Sequence, residues 1–161
     1  MKHIRPIPFL FAVPLMAHAQ PELRPEAFAP LAGDMVGELE YVDYGSGAVA
    51  RIPATLRVEP LSERSWRITF GYPDEPQMLS VDTLVLSSDG RLLDDMEVME
   101  VSDPLSVPVR IVLEEEGTDN DQPVRIRKTW TIGPNACTLQ KEVRTADDPG
   151  FRHRNMYTFT R

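Results

Sequence analysis

The stretch Val124-Arg125-Ile126-Arg127-Lys128-Thr129-Trp130-Thr131-Ile132 decides the fold. Val124, Ile126, Trp130 and Ile132 alternate with Arg125, Arg127, Thr129 and Thr131. That is the period of a strand with one face in a core and the other in water. The same alternation runs through Met35, Gly37, Leu39 and Tyr41, through Ile52, Ala54, Leu56 and Val58, and through Trp66, Ile68, Phe70 and Tyr72. Further strands are predicted over Met78–Leu86, Arg91–Val101, Val107–Glu115, Cys137–Val143 and Phe151–Thr160. Turn-forming clusters separate them, among them Gly45-Ser46-Gly47, Pro73-Asp74-Glu75-Pro76 and Gly133-Pro134-Asn135. Asp89-Gly90, between apolar runs, predicts a type I′ hairpin.

Upstream, Pro21, Pro25 and Pro30 surround Leu23, Ala27, Phe28 and Leu31, which reads as a short helical turn plugging the domain and ending at Gly33. Sequential hairpins without a long crossover favour a meander, and closing the meander removes its exposed edges. The fold expected is all-β: an antiparallel up-and-down β-barrel of about 8–10 strands with a short N-terminal helical plug. An immunoglobulin-like sandwich is the competing architecture.

Composition narrows the function. The 161 residues carry a net charge of −8, which argues against a nucleic-acid partner. The N-terminus joins a basic start (Lys2, Arg5), an apolar run from Pro6 to Met16, and Ala17-His18-Ala19. These are the parts of a secretory signal peptide, and the run is too short to span a bilayer. Cleavage is expected between Ala19 and Gln20, leaving one domain over residues 20–161 without a transmembrane segment, exported to the periplasm or secreted. The mature chain keeps one histidine, His153, and one cysteine, Cys137, which together cannot form a typical four-ligand zinc site. Cys137 reads as a small buried hydrophobe. Glu114-Glu115-Glu116-Gly117-Thr118-Asp119-Asn120-Asp121 lacks calcium-loop spacing and reads as a solvated hairpin tip. No metal, cofactor or catalytic constellation is implied, so the chain is not expected to be an enzyme.

In a small barrel, polar residues of inward parity are candidate ligand contacts. Lys128 shares its face with Val124, Ile126, Trp130 and Ile132. A buried ammonium needs a partner, from a ligand carboxylate, Asp43 or Glu142, unless it lies at the rim and reaches water. On the last strand Phe151, His153, Asn155, Tyr157 and Phe159 share one face by alternation, and Arg152 and Arg154 the other. The expected ligand-binding set is therefore Tyr41, Lys128, His153, Asn155 and Tyr157 for a polar group, with Trp66, Phe70, Tyr72 and Trp130 for apolar contact.

The plug, the glycine opening the first strand and the meander resemble the calycin group, the lipocalins and fatty-acid-binding proteins. Lipocalins carry G-x-W at this point, where the chain has Gly33-Asp34-Met35. The run from Gly37 to Tyr44 and the ending Arg154-Asn155-Met156-Tyr157 also look like small secreted bacterial proteins of no assigned activity. Fatty-acid-binding proteins hold a carboxylate with Arg-x-Tyr on a late strand. Here Arg154 and Tyr157 are one residue too far apart, and alternation sets them on opposite faces, with Arg161 a weaker substitute. The resemblance implies a barrel binding a small, mostly apolar or carboxylate-bearing ligand in its interior. The alternative is a filled barrel serving as an envelope protein-interaction or assembly module, with a partner the sequence does not name.

The export reading has a direct check. The protein recovered from the cell envelope should begin at Gln20 by intact mass, and retention of residues 1–19 would overturn it.

Overall fold

The computed structural model describes residues 21–102 and 106–161; the predicted signal peptide lies outside the described residues. Ten strands are formed among them: β1 (Gly33–Val42), β2 (Val49–Ser62), β3 (Ser65–Gly71), β4 (Ser80–Val85), β5 (Leu92–Leu93), β6 (Met96–Val101), β7 (Val109–Asp119), β8 (Gln122–Ile132), β9 (Ala136–Arg144) and β10 (Arg152–Thr160). They make one antiparallel sheet in the order β4-β3-β2-β1-β10-β9-β8-β7-β6-β5. A single bridge between Leu86 and Leu93 joins the two ends of this sheet. The fold is therefore a nearly closed up-and-down barrel, and not a sandwich of two sheets.

The alternation seen in the sequence becomes the inside and outside of this barrel. Met35, Ala54, Leu56, Val58, Trp66, Ile68, Ile111, Leu113, Trp130, Ile132 and Phe159 are buried together in the core. Gly37 pairs with Phe159 across β1 and β10, and a Cβ there would sit 1.8 Å from the Thr158 carbonyl oxygen. Only glycine fits.

The plug is a 3₁₀ turn, Pro25–Leu31, with Pro25 preset for its first position. Phe28 and Leu31 are its fully buried residues. Phe28 stacks on Trp66 with ring centroids 4.7 Å apart and meets Trp130 edge-on at 6.2 Å. The chain leaves the plug through Gly33 at φ +105°, a conformation that disfavours any side chain. Arg161, beyond the end of β10, donates from Nη2 to the carbonyls of Pro30 and Ala32, each at 2.7 Å. The side chain weighed as a substitute carboxylate ligand thus ties the plug to the last strand. Cys137 is buried beside Met35, its Sγ 3.9 Å from the methionine sulfur. Burial pushes its thiol up to about 11, which disfavours the thiolate.

Three local expectations need correction. The run Arg91–Val101 is not one strand, because Asp94 and Asp95 adopt φ of 54° and 65° and turn the chain between β5 and β6. Asp and Asn tolerate this conformation better than other side chains, so a tight turn forms without glycine. At Asp89-Gly90 only Gly90 has positive φ, and its N–H closes a turn onto the Ser87 carbonyl at 3.0 Å. A type I′ turn needs both central residues left-handed, so the chain reverses here through a longer loop, closed by the Ser87 N–H on the Leu92 carbonyl at 2.9 Å and the Leu86–Leu93 bridge. The third departure is in β10, where the register shifts between His153 and Asn155.

Outside the wall, Arg125 and Arg127 bond Glu114 at 2.9 and 2.8 Å, the cross-strand balance of charge expected of outward-facing arginines. Burial works against the Glu114 carboxylate, and these two guanidinium bonds outweigh it, holding its pKa below the usual value.

Phe28 makes the plug a quantitative prediction. Phe28→Ala should lower unfolding free energy by about 3–5 kcal/mol, read from urea denaturation. A loss under ~1 kcal/mol would show that the plug is not part of the cooperative core.

Candidate functional site: a one-ended cup with an internal ion cluster

The plug occupies one end of the barrel, and the mouth lies at the other. A cleft of about 540 Å³ opens there, lined by Leu39, Tyr41, Ile52, Tyr72, Met78 and Asn155 and by the charged groups Asp119, Lys141 and Arg154, among others. Its volume is that of a small-molecule site. Beneath it the interior is packed: Phe70 and Tyr157 lie 4.7 Å apart, and Tyr157 and Phe159 stack at 5.6 Å. Tyr72 and Tyr157 share a hydrogen bond of 2.7 Å between their hydroxyls. Burial, and then that bond, hold the Tyr157 phenol well above the ordinary phenol range.

The ion cluster depends on the bulge in β10. His153 pairs with Glu142, whereas Lys141 pairs with Asn155, so Arg154 is the extra residue. A bulge sets two consecutive residues on one side of a strand. Arg154 and Asn155 therefore both face the cup, and His153 is carried outside. The Arg154 Nε lies 3.1 Å from Asp119 Oδ2 and donates to the Tyr44 hydroxyl at 3.1 Å. Its guanidinium lies 3.7 Å over the Tyr44 ring. Lys141 Nζ donates to the other Asp119 oxygen at 3.2 Å. Asp119 is delivered by the β7–β8 hairpin, turned by Asn120 and Asp121 at φ of 49° and 60°. Its side chain is only 11% exposed, so this part of the hairpin is not the solvated tip expected.

Arg154 is incompletely satisfied. Its Nη2 is buried and makes no hydrogen bond among the described residues. Burial works against its charge and lowers its pKa. A buried polar group left without a partner costs about 1–3 kcal/mol.

The residues read from sequence divide among several places. Tyr41, Tyr72 and Asn155 line the cup. Lys128 does face inward, directly opposite Lys141 in the ladder, but its carboxylate neighbour is Glu115 at 4.0 Å, not Asp43 or Glu142. Asp43 is engaged by the Ser46 N–H and hydroxyl, both at 2.7 Å. With Phe70 and Trp130, Lys128 lines a smaller pocket of about 90 Å³ beside Asp82 and Asp94, between β4 and the β5–β6 hairpin. Burial, aided by the Asp82 charge and opposed by Lys128, raises the Asp94 carboxyl. Trp66 belongs to the plug contact, and Tyr157 lies in the packed floor.

His153 is a correction. It lies on the outer face, with Nε2 3.6 Å from Glu40 Oε1 and Nδ1 3.5 Å from Gln140. Arg154, set outside by strict alternation, is inside, on the same side as Tyr157. Leu39, Ile52, Asp119 and Lys141 were not among the expected site residues. Lys141 was findable, since it shares parity with Cys137, Leu139 and Val143.

No protein-family model matches the chain, and no curated protein is similar enough in sequence to be matched. The barrel itself is what relates it to the calycin-like shape.

Ionisation of Tyr157 makes stability fall at alkaline pH. The unfolded phenol ionises near ~10 and the folded one higher, so the folded state holds the extra proton. Its contribution is fully present below pH ~10 and is lost as pH rises through the folded value, at up to ~1.4 kcal/mol per unit. Urea denaturation between pH 8 and 11 should show this loss in the wild type and a flatter profile in Tyr157→Phe.

Proposed function

We propose that the protein is an exported carrier that reversibly binds a small, mostly apolar molecule in the cup, without chemistry. One observation carries the reading: a ligand-sized opening at the end of the barrel opposite the buried plug. Leu39, Ile52, Met78 and the Tyr72 ring offer an apolar wall, and Tyr41, Asn155 and the ion cluster offer polar contacts on one side. Sites of this kind pair a hydrophobic lining with few placed polar groups. Export, inferred from residues 1–19, would put such a carrier in the envelope or outside the cell.

A second reading, a protein-interaction module, is favoured by a different observation. On and beside edge strand β4, Leu79, Val81 and Val85 are 62%, 61% and 51% exposed. An apolar sheet edge is a surface on which a partner strand can add.

The carrier reading is tested with N-phenyl-1-naphthylamine, an uncharged fluorescent probe, and by native mass spectrometry of gently purified protein. Saturable one-to-one binding is expected, and Ile52→Trp, which narrows the cup, should weaken it roughly tenfold, about 1.4 kcal/mol. No saturable binding together with a bare chain mass would move the weight to the β4 edge.

A further inference from the structure

We infer that the cup selects monoanionic amphiphiles, and that Asp119 occupies the position their carboxylate takes. This inference rests on the carrier reading and adds to it the class of ligand and the means of its entry.

Three groups of the mouth are held away from bulk water: Asp119, Lys141 and Arg154, with side chains 11%, 27% and 16% exposed. Two cations meet one carboxylate, so the enclosed cluster carries one uncompensated positive charge. The other carboxylates lining the cleft are Asp43 and Glu75. Both lie exposed in the rim loops, where water screens them. Asp43 is also turned to Ser46.

The geometry of Arg154 shows where the missing anion fits. The side of a guanidinium formed by Nε and Nη2 is a two-pronged donor that matches a carboxylate. Asp119 Oδ2 comes only to Nε, at 3.1 Å, where the N–H is turned to the Tyr44 hydroxyl, and its second oxygen is taken by Lys141. Nη2 is left without a bond. The Tyr44 ring under the guanidinium fixes its plane. A free carboxylate is not bound by the reach of the hairpin and can accept from Nη2, and from Nε in place of the exposed Tyr44 hydroxyl, while Lys141 meets its other side. Asp119 sits in the last position of β7 before the turn, so it can withdraw with the hairpin end while the ladder below stays paired. Leu39, Ile52, Tyr72 and Met78 then receive the apolar body.

The test compares decanoate with decanol, equal in chain length and different in charge, by isothermal titration calorimetry below the concentration of micelle formation. Wild type should bind decanoate about tenfold tighter than decanol, a difference of ~1.4 kcal/mol. Asp119→Asn, which removes the competing carboxylate, should raise that decanoate-to-decanol ratio a further fivefold or so, within the range seen for charge-assisted contacts. Arg154→Gln should bring the ratio to near one. Lys141→Gln, on β9 and not itself the bulged residue, serves the same purpose if Arg154→Gln does not fold. A ratio unchanged or reduced in Asp119→Asn overturns the inference, and so does a preference that survives loss of either cation. Equal binding of both ligands by every variant leaves the carrier reading standing and removes the anion selectivity. Failure of the wild type and Asp119→Asn to bind either ligand removes both.

Discussion

Phe28, held between Trp66 and Trp130, is the contact that gives this barrel one end instead of two. A closed meander has two openings by construction, and nothing in strand pairing distinguishes them. The 3₁₀ turn makes the difference by inserting the fully buried Phe28 and Leu31 at one end. Its attachment is doubled, since Gly33 allows the abrupt turn into β1 and Arg161 clamps the Pro30 and Ala32 carbonyls from the end of β10. β1 and β10 are neighbours in the sheet, so plug, first strand and last strand form one fixed unit. The mouth that remains lies at the opposite end.

At that end the chain sorts charge by the pleat. In the run Glu114-Glu115-Glu116, Glu114 and Glu116 turn outward to Arg125, and Glu114 also to Arg127. Glu115 and, four residues on, Asp119 turn inward. Across β8 and β9 the inward positions include Lys128 and Lys141, which face each other in register. Like charges directly opposite are destabilising. Each lysine is instead matched by its own carboxylate from β7, Glu115 for Lys128 and Asp119 for Lys141. Arg154 enters this balanced pair of pairs as a third cation, placed there by one extra residue in β10.

Much of the fold was legible because period-two alternation is a direct record of which side of a sheet each residue occupies. The paired faces around Leu56, Ile68, Trp130 and Phe159 needed nothing more than counting. The same counting failed at His153 and Arg154, because a bulge resets parity and carries no glycine or proline here to mark it. It failed at Asp94-Asp95 for a related reason, since two aspartates took the left-handed conformation usually assigned to Asn-Gly or Asp-Gly. The site suffered more than the core. A core residue is identified by its type, whereas Lys141, Asp119 and Arg154 are ordinary surface residues by type and become site residues only through parity and register. Trp66 and Trp130 show the converse: their chemistry invited a ligand role, and their position in the filled end gives them to the plug.

The ion cluster has little value as a support for the fold. Taking charges out of water offsets most of what their attraction contributes, and apolar residues of similar size commonly serve stability as well or better. The outer pairs at Glu100 and Asp148 show what the chain does where only balance is needed: each sets one guanidinium against one carboxylate at close range. Inside the cup the arrangement differs in kind. Two cations share one acid, as at Glu114 on the outer wall, but here a guanidinium is stacked and held with its Nη2 unused, and the acid stands at the end of a hairpin instead of mid-strand. Each of these features lowers the worth of the cluster as structure. Each is also what an exchangeable anion would require: a surplus positive charge, a preset donor pair, and a resident carboxylate that can leave without unfolding the wall.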